Sequence, residues 1–120
     1  MDQETGRQVD EFVRRHATLL IGRVRDYLAG HTSHADVYDL TCQIIAEWMS
    51  LGPSVDRVPQ TNREIALWAT LWTTQVLASD SHWRDGIPQR ELPSLIDALE
   101  QGGCVPDGYH GNRPARGCRD

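Results

Sequence analysis

His31 and His34, three positions apart and followed by Asp36 and Asp39, form a small cluster of metal-capable side chains. Imidazole nitrogens beside carboxylate oxygens suit a transition metal, yet a zinc site closes on three or four ligands at defined spacing. The same residues fit a polar turn whose acids sit favourably at the start of a helix dipole. His16 is the other base-capable side chain of interest. It lies within an apolar stripe, and no Ser or Cys is spaced to act with it as a nucleophile. A single histidine in such a stripe is more often hydrogen-bonded packing than a catalytic base. Cys42, Cys104 and Cys118 are odd in number and widely spaced, which gives neither a disulfide framework nor a CxxC metal pair. The chain is therefore expected not to be an enzyme and to hold no cofactor. A metal-binding bundle or enzyme using His31, His34 and Asp36, or a helical adaptor module, stands as the alternative.

Carboxylates are the more abundant resource. Asp36, Asp39 and Glu47 recur at spacings that place them on one side of a helix, opposite its apolar residues. Asp80 and Asp85 flank Trp83 just beyond a second, more apolar helix. These six residues are the candidate partner-binding set, with solvated helix faces as the plainer reading. Tryptophan is enriched at interface hot spots, but Trp48, Trp68 and Trp72 stand at helical spacing among apolar residues and read first as core.

The elements that must position these residues are helices. Val9, Phe12, Val13, His16, Leu19, Leu20, Val24, Tyr27 and Leu28 repeat every three or four residues, predicting a first helix over 4–29 that Gly30 stops. Ser33 is a good N-cap for a second helix reaching about Leu51, with Val37, Leu40, Thr41, Ile44, Ile45, Trp48 and Met49 inward; Gly52-Pro53 ends it. Two prolines exclude a regular helix over 53–60. From Thr61 to Trp83 runs the segment around which the rest is expected to be organised. It opens on a capping box in which Glu64 is expected to reach back to Thr61. It continues through Ile65, Leu67, Trp68, Leu71, Trp72, Val76 and Leu77, apolar around most of its circumference, as in a buried helix. Its apolar part, ~14 residues against the ~20 that a bilayer requires, is too short to span a membrane. A shorter helix over 88–101, with Pro93 expected in its first turn, presents Leu92, Leu95, Ile96 and Leu99 and stops at Gly102-Gly103. No stretch alternates as a strand would.

The expectation is thus an all-α, single-domain bundle of four or five helices over residues 1–103. An irregular Gly/Pro/Arg-containing tail, extended or partly disordered, follows over 104–120. The tail's Tyr109–Pro114 stretch is suited either to ordering against a partner or bundle, or to serving as a solubilising end. A chain of 120 residues is long enough to bury roughly 65% of its unfolded surface without metal or disulfide. Its net charge is −5, from 17 acidic residues against 12 basic ones, all of them Arg. That balance argues against direct nucleic-acid binding, which needs a clustered basic face, and suits a basic protein partner. The polar, acidic start lacks a signal-peptide pattern, so a cytoplasmic location is expected.

Two stretches carry a resemblance. One is EFVRRHATLLIGRVRDYLAG followed by a capped helix ending in EWMSLG. The other is LWATLWTTQVLASDSHWRDG leading into PSLIDALEQGG. Across residues 8–103 the chain resembles bacterial toxin-immunity proteins of the colicin and contact-dependent-inhibition type, as a pattern and composition and without an invariant motif. The resemblance implies a stoichiometric inhibitor whose acidic face covers the active or substrate-binding site of a basic toxin domain, often a nuclease.

Overall fold

The computed structural model describes residues 3–79, 87–105 and 109–115, with backbone alone at 79 and 87–91. Four α-helices run in chain order: α1 (Gln3–Leu28), α2 (His34–Ser50), α3 (Asn62–Ser79) and α4 (Ile87–Gln101). A 3-10 turn, Pro53–Arg57, joins α2 to the segment before α3, and there is no strand among the described residues. The protein is an all-α, four-helix bundle.

Helix ends follow local chemistry. Gly30 ends α1 with φ 82°; its N–H bonds the Tyr27 carbonyl at 3.1 Å, and that of His31 bonds the Asp26 carbonyl at 2.8 Å. This paired closure uses carbonyls that the helix leaves orphaned, and it needs a left-handed residue, hence glycine. Ser33 caps α2 by accepting from the Asp36 N–H, and the Thr61 hydroxyl accepts from the Glu64 N–H at 3.1 Å. The Glu64 carboxylate departs from expectation. Instead of reaching back to Thr61 it turns into the protein, where Trp68 and Arg113 donate to it.

The helix α3 lies at the centre, packing most extensively on α4, then on α2, and also touching α1. Ala66, Leu67, Trp68, Ala69, Thr70 and Leu71 form six consecutive buried residues, which only a helix covered on several sides permits. The cover is incomplete: Val76, expected inside, is 47% exposed. On α1, Phe12, His16, Leu20 and Val24 line one inward row and Val13, Ala17 and Ile21 another. Leu19 was expected on this face and is instead 49% exposed. It sits one residue, about 100° of rotation, from fully buried Leu20, and so falls off the edge of the arc.

Leu92, Leu95, Ile96 and Leu99 on α4 are buried, as the spacing requires. Pro93 is not in the first turn but inside the helix. Because α4 starts at Ile87, Pro88 takes the early position where a missing N–H costs nothing, and Pro93 gives up one intrahelical bond.

Phe12, Trp48 and Trp68 meet at the bundle centre. Phe12 lies edge-on to Trp48 at 5.1 Å and stacks on Trp68 at 5.9 Å, and the two indoles meet edge-on at 5.5 Å. Offset and edge arrangements of this kind are the preferred geometries of aromatic quadrupoles.

Candidate functional site

The acidic side of α2 faces outward. Asp36, Asp39 and Glu47 are exposed, with exposed Gln43 between them, and α2 contains no arginine. Asp36 also serves the local fold, accepting from the Thr32 hydroxyl at 3.2 Å while its N–H is capped by Ser33. Glu47 belongs to the face and to the interior at once. Its side chain is 53% exposed, yet its Oε1 lies 3.0 Å from Nε2 of buried His16.

His16 is packing, as its position in the stripe suggests. It stacks on Phe12 at 4.1 Å, and its Nδ1 lies 2.9 Å from the Phe12 carbonyl. Both ring nitrogens thus face acceptors, a carbonyl and a carboxylate. Both must carry hydrogen for the two contacts to be hydrogen bonds, unless Glu47 supplies one. The remaining members of the partner-binding set, Asp80, Trp83 and Asp85, lie outside the described residues.

The His31/His34 group does not assemble into a ligand set. His34 Nδ1 lies 2.5 Å from the Tyr27 hydroxyl, and the two rings meet edge-on. Among the described residues no three His, Cys, Asp or Glu side chains converge to hold a metal ion. Burial raises the Tyr27 pKa above the usual phenol value, so its hydroxyl keeps its proton, and the His34 tautomer sets which partner donates.

The most organised polar site lies inside and had no periodic signal to announce it. Residues 109–115, within the segment read as a tail, lie against α3 and the 3-10 turn. Arg113 forms a two-pronged ion pair with Glu64, Nε to Oε2 at 2.5 Å and Nη2 to Oε1 at 2.8 Å. Its Nη1 donates to the Asp56 carbonyl at 2.9 Å and Nη2 again to the Val58 carbonyl at 2.7 Å. Four of the five guanidinium N–H groups are thereby used. The guanidinium carbon sits 5.2 Å from the centre of the Trp48 ring, within cation–π range.

Further contacts grip the arm's backbone. Gln60 Nε2 donates to the Gly111 carbonyl at 2.8 Å and Trp72 Nε1 to the Asn112 carbonyl at 2.8 Å. Gly111 is pressed against α3 so closely that an added Cβ would lie 2.6 Å from Ile65 Cα. Only glycine fits there. Glu64 itself is 1% exposed at its side chain and is steadied by Trp68 Nε1 at 3.0 Å.

Comparison with known protein families, with curated proteins and with solved structures gives no match.

Proposed function

We propose that the protein is an immunity protein that binds and neutralises a cognate bacterial toxin domain, most naturally a nuclease, by covering its active or substrate-binding site. The observation that carries this reading is the outward face of α2, which presents Asp36, Asp39 and the half-engaged Glu47 with no arginine among them. A nuclease groove is basic because it must bind phosphates, so a surface of fixed carboxylates complements it. Charge complementarity of that kind accelerates capture and selects the partner. Rigidity supports the same reading. Asp36 is tied to the cap of α2, and Glu47 is positioned by a buried imidazole, so less side-chain entropy is lost on docking. The resemblance of the sequence pattern over residues 8–103 to that of immunity proteins is the remaining support.

The test is co-purification with the C-terminal domain of a secreted toxin encoded beside this protein. A 1:1 complex that survives gel filtration and loses stability as salt is raised is the expected outcome. Absence of any complex at micromolar concentration would remove the reading.

A further inference from the structure

The Glu64 site has the attributes of a receptor as well as those of a fold contact. Among the described residues its walls come from the 48–72 stretch: Trp48 from α2, the carbonyls of Asp56 and Val58, Gln60, and Glu64, Trp68 and Trp72 around α3. Those walls are held in place by contacts that do not involve the arm. The Trp68 indole fixes the Glu64 carboxylate, Asp56 accepts from Trp48 Nε1 at 3.3 Å, and Thr61 caps the helix turn that carries Glu64.

What the arm presents is a backbone outside any helix or strand, with one anchoring side chain. Two consecutive carbonyls, of Gly111 and Asn112, accept from side chains of the wall. The arginine fills a carboxylate-and-carbonyl slot under an indole, and Pro114 is buried beside it while Asn112 points outward. Backbone hydrogen bonds supply affinity in such peptide recognition and pockets for particular side chains supply specificity. The bidentate fork restricts the anchor to arginine, because a lysine ammonium is a point charge that cannot bridge both carboxylate oxygens and two carbonyls. Contact with the Ile65 backbone restricts the position two residues earlier to glycine.

We infer that this slot is a binding site for a Gly-X-Arg-Pro segment, that the chain's own arm is its resident ligand, and that a partner polypeptide carrying the same motif can replace the arm in trans. The inference is independent of the toxin reading. A tethered occupant has an effective concentration of order mM for a short linker, so wild-type protein resists exchange and the test must first empty the slot.

The experiment uses the full chain carrying Gly111→Val, whose own arm cannot seat, and the synthetic peptide of residues 109–115. Readouts are the Trp72 indole N–H resonance and the thermal midpoint. The expected result is saturable restoration of the wild-type indole shift and a raised midpoint, with peptides bearing Arg113→Lys or Gly111→Val weaker by about tenfold or more. If Gly111→Val does not fold alone, the same peptide is added during refolding, and recovery of a cooperative transition counts as binding. Full-length Arg113→Ala serves as a second emptied slot. No response to millimolar peptide in either variant, or an equal response to the control peptides, overturns the inference and leaves the arm as a purely intramolecular clasp.

Discussion

Arg113 anchors the buried polar site beside α3 with four hydrogen bonds. Its partner Glu64 is inaccessible to water, so deleting the guanidinium leaves a carboxylate with desolvation uncompensated. Removing one member of a buried pair typically costs about 3–5 kcal/mol. Arg113→Ala is therefore expected to lose roughly that much in urea denaturation. Glu64→Gln combined with Arg113→Met is expected to be less damaging than the sum of the single changes, because the two share one interaction. Neither residue could be paired from sequence. They stand 49 positions apart, and Arg113 lies in a stretch without periodicity, so no local pattern marks its environment. Thr61 and Glu64 were legible as a helix start, since capping is a matter of three-residue spacing. That the Glu64 carboxylate would turn inward is set by tertiary neighbours.

At the scale of elements, the three glycine stops separate two kinds of glycine requirement. Gly30, Gly52 and Gly102 have positive φ and open space where a Cβ would go. The cost of Gly52→Ala is then conformational only; at φ 90° and ψ 163°, a region that essentially only glycine occupies, it is expected to be about 1–3 kcal/mol. Gly111→Ala meets the backbone of α3, which cannot step aside, and is expected to cost clearly more in the same chemical-denaturation assay. The ends of α1 and α2 were readable because caps and stops are local. Pro93 was not placed correctly, because two prolines in one helix compete for the first turn and the winner depends on where α4 begins.

Tying α1 to α4 on the surface, Arg25 grips Glu100 with two hydrogen bonds, at 2.9 and 3.1 Å. This hydrogen bonding, with the attraction of the charge, holds the Glu100 carboxyl below the ordinary glutamate range. A group with a depressed folded-state pKa adds stability that is fully present above its unfolded pKa and is lost as pH falls through the folded value. The gap in thermal midpoint between wild type and Glu100→Gln should accordingly be constant near neutrality and close in acid, below the usual glutamate range. Because both side chains are about half exposed, the gap should be small and should shrink with salt.

For the molecule as a whole, charge is divided by element. The α2 helix carries carboxylates without arginine, whereas α1 mixes Arg14, Arg15, Arg23 and Arg25 with Asp10, Glu11 and Asp26. The fold class was legible because four apolar stripes at helical spacing leave few other ways to bury tryptophans. The acidic face was legible for the same reason, as the complement of the stripe on α2. The interior slot was not, since it arises only when the arm returns to α3. These two features make separable demands on experiment, because α2's outer face and the Glu64 slot share no residue.

The most direct measurement is therefore an inhibition titration of the cognate toxin domain by wild type and by Asp36→Arg/Asp39→Arg. The folded state of both is checked by thermal melting. The account predicts a 1:1 end point for wild type and, for the reversed face, an inhibition constant weaker by about tenfold or more, with most of the loss in association rate at low salt. An equally potent, fully folded Asp36→Arg/Asp39→Arg variant would contradict it.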